Sequence, residues 1–469
     1  MKKVLLLAAA IICAGLSSFA QKLNTTKTFD SALKQASEEN RPVLLIVAIP
    51  ITTQPATMNG VKINYANALE DKEVIEKINK TFVVYKTTMI DTAIRRILSP
   101  SSITSFPAYV FFRPDKSIFY KDFGNFGQKN RYFSMIENAL TAYKERSVSD
   151  LEKDYFANKN DNQLLKKLID AREKIGITNN ADLIEQYANN LKIGDFNNYE
   201  NVLYILQAGP YIDGIAYKLA YTNRKLTDSL YRTESLQKRI AINRAIISNT
   251  MKAAAKDKNL NRAMAAANYE RSTWGKDYRA GDKSYNNQIL WYYSTVKDTT
   301  NYFRTAMYFY DNHYMNIGAD SIKKIETKER EAMNKRNTSN IMGRNIVSKE
   351  KMDSLLKLKG TVKTTQTFIT VGSASSSYAT ELNNAAWKFY ETGTKNINYL
   401  TKAMIWSRRS IELNPIGGYY DTLAHLLYRL GYVEEAIKTQ ENAIEKSKLE
   451  GMNTNNLQIE LKKMKARQI

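Results

Sequence analysis

Cysteine is nearly missing from this chain. The single one in 469 residues, Cys13, sits in the apolar run that follows Lys2 and Lys3. A chain cleaved beyond that run has no thiol for disulfide exchange or metal–thiolate chemistry. Histidine is almost as scarce, with only His313 and His425, which supplies a zinc site or a His-dependent triad poorly. The sequence contains no Gly-x-x-x-x-Gly-Lys-Ser/Thr, Gly-x-Ser-x-Gly, His-Glu-x-x-His or calcium-loop pattern. Carboxylates are plentiful but scattered, and no pair stands out as an acid–base couple. No catalytic residue, metal ligand or cofactor is therefore expected. Eight prolines and 19 glycines are few for this length, which favours helices over a strand-rich sandwich. No stretch after the N-terminal run approaches the roughly 20 apolar residues that a membrane span needs.

What is present begins with an export signal. Lys2 and Lys3 precede Val4 to Leu16, and Ser18-Phe19-Ala20 places small residues where a signal peptidase reads them. Residues 1–20 are expected to be removed. Lipid attachment at Cys13 would want a small residue before it, and Ile12 stands there, so cleavage after Ala20 is favoured. The expected location is periplasmic or secreted. The formal charge of +22 falls to +20 once Lys2 and Lys3 are gone. Outside the cytoplasm this argues against a nucleic-acid partner. It leaves either a weak attraction to anionic envelope polymers or a solvated surface with none, and the even spread of charge favours the second.

Residues 21–147 alternate helix and strand signals. Phe29, Ala32, Leu33 and Ala36 form a helical stripe, and Val43 to Ala48 is a continuous apolar run that reads as a buried strand. A helix follows over Asp71 to Lys80, then a strand over Thr81 to Tyr85. Ala108 to Phe112 is a third strand, a turn at Arg113-Pro114-Asp115-Lys116 leads to a hairpin partner at Ser117 to Tyr120, and a helix over Arg131 to Tyr143 closes the unit. This β-α-β then β-β-α order, with Pro107 directly before a strand, resembles the thioredoxin family over about 125 residues. The resemblance implies an α/β thioredoxin-like domain and a cis bond at Pro107. Where the family carries its Cys-x-x-Cys, this chain has Ile49-Pro50-Ile51-Thr52-Thr53-Gln54-Pro55. Serine or threonine is no substitute, because an unactivated hydroxyl is too weakly acidic. The domain is thus expected to be redox-inactive. Ser105, Phe106 and Pro107, the loop that the resemblance places against an extended peptide, are candidate binding residues; otherwise Pro107 is there for the fold alone.

Residues 148–362 read as an α-helical region. Leu164, Leu165, Leu168 and Ile169 make one stripe, and Leu183, Ile184, Tyr187 and Leu191 another. Gly209-Pro210, Gly281-Asp282 and Gly318 are expected to punctuate it as turns. Leu290, Ala306, Tyr310 and His313 have the spacing of a divergent helical repeat. Residues 363–380, rich in Ser and Thr, are the expected linker.

Residues 381–469 hold the clearest internal repeat. Trp387, Ala403, Ser410 and Pro415 recur 33 residues later as Tyr420, Ala436, Ala443 and Lys448, with Leu430-Gly431-Tyr432 at the expected inter-helix turn. This pattern resembles tetratricopeptide repeats, which pair helices through small residues. Two copies are fewer than the about three that a stack needs, so a capping helix is expected over Leu457, Leu461 and Met464. The resemblance implies that the first helix of each pair lines a peptide groove. That makes Asp421, His425, Tyr428 and Arg429 candidates in the second copy and Lys388 in the first. Arg429 and Lys388 could hold a peptide carboxylate by charge-assisted bonds, or the set could be a polar face opposite the core.

The expectation from the sequence is an α/β thioredoxin-like N-terminal domain followed by an all-α array ending in tetratricopeptide-like hairpins. It would be a non-catalytic peptide- or protein-binding scaffold of the bacterial cell envelope. Two rivals remain: a thiol–disulfide or folding factor working with a cysteine-bearing partner, and a hydrolase with a site among the helices.

Overall fold

Strand β1 (Val43–Ala48) organises the first part of the chain because it is apolar on both sides. Extended chain sends successive side chains to opposite faces. Val43, Leu45 and Val47 accordingly enter one core, while Leu44 and Ile46 enter a second. The computed structural model describes residues 22–48, 57–58, 61–62, 68–89, 91–98, 103, 105–328, 331 and 377–468. The expected signal with Cys13, the Ile49–Pro55 segment and most of the expected linker lie outside these residues.

β1 is one of the two inner strands of a four-stranded mixed sheet. Two two-residue strands, β2 (Thr57–Met58) and β3 (Val61–Lys62), pair only with each other. β4 (Val83–Thr88) lies parallel to β1, with Val43 opposite Val83 and Ala48 opposite Thr88. β5 (Ala108–Phe112) lies antiparallel on the other side of β1, with Val47 opposite Ala108, and β6 (Ile118–Phe123) completes the order β4-β1-β5-β6.

Helices cover both faces of this sheet. On one face α1 (Phe29–Glu38) packs Phe29, Ala32, Leu33 and Ala36, and α3 (Thr92–Ile97) adds Ile94. On the other, α2 (Lys72–Thr81) supplies Val74 and Ile78, and α4 (Lys129–Lys144) supplies Tyr132, Met135, Ile136 and Ala139. The helix starts are set locally: Thr28 and Ser31 form a capping box on α1, and the Asp71 carboxylate accepts from Glu73 N and Val74 N on α2. A parallel pair buried on both faces needs this double cover.

The rest of the described chain is almost wholly helical. α5 (Val148–Ala157), α6 (Asn162–Lys174), α7 (Ala181–Asn189), α8 (Tyr199–Gln207), α9 (Ile215–Ala220) and α10 (Arg224–Thr233) follow. Of the expected stripes, Leu165, Leu168, Ile169, Leu183, Ile184 and Tyr187 are buried, whereas Leu164 and Leu191 are half-buried. The described residues up to Pro210, with Gly214–Leu236, form one compact unit; Tyr211–Asp213 and the described residues from Gln237 onward form a second.

The second unit is built from α11 (Leu236–Lys256), α12 (Leu260–Thr273), α13 (Tyr278–Val296), α14 (Thr299–Tyr310) and a π-helical turn over Asp311–Met315. α15 (Tyr378–Glu391), α16 (Ile397–Leu413), α17 (Gly417–Arg429), α18 (Val433–Leu449) and α19 (Asn455–Lys465) complete it. One continuous core runs through it from Met251 through Phe309 and Trp406 to Leu426. Asp311 ties the π turn to α16, accepting from Trp406 Nε1 at 3.0 Å and Lys402 Nζ at 2.9 Å. Among the described residues no helix is long and apolar enough to cross a membrane.

One expected turn is not a turn. Gly281 and Asp282 lie inside α13. A Cβ on Gly281 would stand 2.9 Å from the Arg271 carbonyl oxygen of α12. The glycine permits close helix contact there rather than a chain reversal. The 33-residue period, by contrast, is visible in the packing. Ala403, Ser407 and Ser410 on α16 and Ala436, Gln440 and Ala443 on α18 are all fully buried. Gly417 opens α17 directly against α18, where a Cβ would lie 2.8 Å from both Ala443 O and Ser447 N.

Two stability predictions follow from these contacts. Phe111 is fully buried and packs its ring 5.1 Å from that of Phe82. Phe111→Ala should lower the unfolding free energy of the first unit by about 3–5 kcal/mol, read from urea titration; a loss below about 1 kcal/mol would contradict the assigned core. Gly417→Ala meets backbone that cannot swing aside and should cost about 1–3 kcal/mol. An unchanged urea midpoint for the second unit would show that α17 and α18 do not approach this closely.

Candidate functional site

Two places collect the candidate residues, one in each unit. The first is the end of the sheet where β1 and β4 both finish and antiparallel β5 begins. Ligands of open α/β sheets gather at the carboxyl ends of parallel strands. Here the Asp91 carboxylate accepts from Tyr85 Oη at 2.8 Å and Thr87 Oγ1 at 3.1 Å. Burial pushes the Tyr85 hydroxyl pKa up, and the Asp91 charge adds to this. Ser105 is exposed. Phe106 is half-buried against the core under α1 and α3. The Phe106–Pro107 bond is cis. The Pro107 carbonyl already accepts from Gly124 N at 2.8 Å, so this oxygen is occupied within the fold.

The second place is the face shared by α15 and α17. Three pairs of contacts fix their register. Thr380 Oγ1 bonds Tyr419 Oη at 2.7 Å, Trp387 meets His425 ring to ring, and Tyr390 O accepts from Arg429 Nη1. The sequence offset is 38 or 39 each time, so the two helices run in the same direction. On this face the rings stack in series. Trp387 lies on Tyr390 with centroids 5.0 Å apart, and the Arg429 guanidinium lies 3.6 Å from the Tyr390 centroid. His425 stands edge-on to both, at 5.4 and 5.2 Å. Arg429 therefore contributes a cation–π contact and a carbonyl bond together, with a planar guanidinium that can stack on a ring while its edge donates. Burial raises the Tyr390 pKa, against the opposing pull of Arg429.

His425 is only 4 % exposed, so it belongs to the floor of this face. Its Nδ1 donates to the Asp421 carbonyl at 2.8 Å, one turn back on α17. Its Nε2 faces Glu460 of α19 at 3.6 Å. Lys463 bonds Glu460 and, with a smaller contribution from His425, holds the Glu460 carboxyl below its usual pKa. The Asp421 carboxylate accepts from Gln440 Nε2 at 2.7 Å, and the same nitrogen reaches Leu457 O at 3.2 Å. Met464 of α19 is fully buried, while Leu457 and Leu461 are half-buried.

The structure thus brings Asp421, His425 and Arg429 together with Trp387, Tyr390, Gln440 and Glu460. Lys388 stands apart, its Nζ 3.6 Å from Glu391 on its own helix. Tyr428 packs instead with Leu423, Leu427 and Ala436. Tyr390 could have been found from the sequence as an aromatic three residues after Trp387. Gln440 and Glu460 could not, since their places depend on how α18 and α19 fold back on α17. Among the described residues no group of three or more acidic, histidine or cysteine side chains is placed to hold a metal. No protein-family model matches the chain, and no curated protein matches it.

Arg429→Ala should destabilise the second unit by about 1–3 kcal/mol through loss of the ring contact and the carbonyl bond. Arg429→Lys should recover less than half of that loss. Chemical unfolding followed by tryptophan fluorescence checks both, and full recovery by lysine would show that the planar stack is unimportant.

Proposed function

We propose that this protein is a non-catalytic peptide- or protein-binding scaffold of the bacterial cell envelope. On this reading a redox-inactive thioredoxin-like domain precedes a helical array that ends in tetratricopeptide-like hairpins. The sheet order β4-β1-β5-β6 with helices on both faces, and a proline opening β5, support the thioredoxin-like part. The buried small residues that recur at an interval of 33, Ala403 and Ser410 then Ala436 and Ala443, support the second. The export signal and the loss of Cys13 with it support an extracytoplasmic, thiol-free chain.

The observation that carries the binding reading is the co-directional packing of α15 and α17, lined by Trp387, Tyr390, Asp421 and His425. Successive first helices aligned in one direction form a continuous surface on which an extended segment can be read residue by residue. Aromatic and charged groups on one such surface suit a peptide better than a small apolar molecule.

The test is an array of immobilised peptides probed with the chain from residue 21 onward, run beside an insulin reduction assay. Retention of a discrete subset of peptides, with no acceleration of insulin reduction, is the expected outcome. Catalysed reduction would favour the redox rival, and an array with no retained peptide would remove the docking reading.

A further inference from the structure

The last helix, α19, is lightly anchored to the array. Met464 is the one side chain of α19 that is fully buried. Gln440 Nε2 donates to the Leu457 carbonyl at 3.2 Å, and Lys465 pairs with Glu441 of α18 through side chains that are both half exposed. An ion pair that open to solvent contributes little. A further tie runs through His425, the more buried of the two histidines in the chain. Each of its ring nitrogens faces a carboxylate. Nδ1 donates to the Asp421 carbonyl at 2.8 Å and lies 3.6 Å from Asp421 Oδ1 on the same helix. Nε2 lies 3.6 Å from Glu460 Oε2, across on α19.

A neutral imidazole carries one N–H, and the Asp421 carbonyl takes it. Nε2 then turns a lone pair toward an anionic oxygen. A second proton converts that contact into a charged pair bridging α17 and α19. Among the described residues packed around the ring, no other group changes charge near neutral pH. α15 contributes the rings of Trp387 and Tyr390, both edge-on to His425. Burial raises the Tyr390 pKa further above neutral, and Arg429 is held on its ring. α18 contributes Gln440, a neutral amide bonded to Asp421. On α19, Lys463 bonds Glu460 at 2.8 Å and, ahead of His425, holds its carboxyl below the usual pKa. Glu460 therefore stays ionised across the range in which an imidazole ordinarily titrates. Lys463 shares a helix with Glu460, so their bond does not fasten α19 to α17.

We propose that His425 is a proton-operated latch for the terminal helix: its protonation seats α19 on α17, and loss of that proton loosens it. This goes beyond the docking reading, since it concerns how the array ends rather than what lies on its face. Glu460 faces the ring only while α19 is seated. Burial of the seated ring opposes the charge, and the carboxylates from α17 and α19 more than offset it. The seated state thus binds the proton more tightly than the open one, and proton binding favours seating by the same factor. The hold is complete on the acid side of the imidazole range and is lost as pH rises through it. It also fails in strong acid, once Glu460 takes up a proton.

Amide hydrogen exchange of the chain from residue 21 onward tests this, read by mass spectrometry at about pH 5 and pH 8 and corrected for the intrinsic exchange rate. Protection of α19 should fall about tenfold between the two, the factor expected when the seated state holds a proton one pH unit more tightly. Protection of α16 should stay the same. Glu460→Gln, at a half-buried position, should leave α19 equally protected at both pH values. His425→Gln should do likewise, and Glu460→Gln decides alone where that variant does not fold. Equal protection of α19 in the unaltered chain, protection that rises with pH, an undiminished fall in Glu460→Gln, or an equal fall in α16 would each overturn the latch.

Discussion

The face between α15 and α17 depends on small residues at the closest approaches of α16 and α18. Ala403, Ser407 and Ser410 on one helix and Ala436, Ala443 and Ser447 on the other are small and buried. Gly417 removes even a methyl group at the tightest approach. Helices that close must take one register, since their backbones interlock rather than slide. That register puts α15 and α17 in the same direction and brings Trp387 to His425 and Tyr390 to Arg429. The single bulky exception in the series is Gln440, at the place that Ser407 holds one period earlier. Ser407 donates to Tyr419 O of the following helix, α17, at 3.5 Å. Gln440 bonds Asp421 of α17 and the Leu457 carbonyl of α19. One departure from the repeat thus turns a packing position into a polar tie between α17 and α19.

The same dependence on close cover appears in the first unit, with strands in place of helices. Because β1 is buried on both faces, the four-stranded sheet needs α1 with α3 on one side and α2 with α4 on the other. This much was legible in the sequence, since a six-residue apolar run between helical stripes admits few other readings. The strand pairing of β5 with β6 was legible too, because the Arg113-to-Lys116 turn dictates a hairpin. The lengths of β6 and α4 were underestimated. Lys121 and Asp122 look like surface residues, yet they continue the pairing opposite Val110 and Tyr109.

Legibility fell where meaning depended on contact between distant segments. Gly281-Asp282 has the composition of a turn but sits within α13, because α12 presses its Arg271 carbonyl onto that glycine. Local propensity has no access to this constraint. Arg429 and Lys388 show the same limit for the site. Both are cations on the helices expected to line a groove, which suggested a carboxylate ligand. Tyr390 and Glu391, each only a few residues from Lys388, engage the two cations within the protein.

Charge at the site is therefore decided by which groups are already paired. The chain as a whole carries a large positive charge, and its field at long range repels cations. Over the few ångströms of a partly buried face, screening weakens and the nearest groups dominate. Of those, Arg429 has its guanidinium bound to the aromatic face and to a carbonyl, and Lys463 bonds only one oxygen of Glu460. Asp421 accepts from the Gln440 amide and lies 3.6 Å from His425 Nδ1. The arginine that the sequence marks as a ligand-binding cation instead builds the face itself, held on the Tyr390 ring and carbonyl.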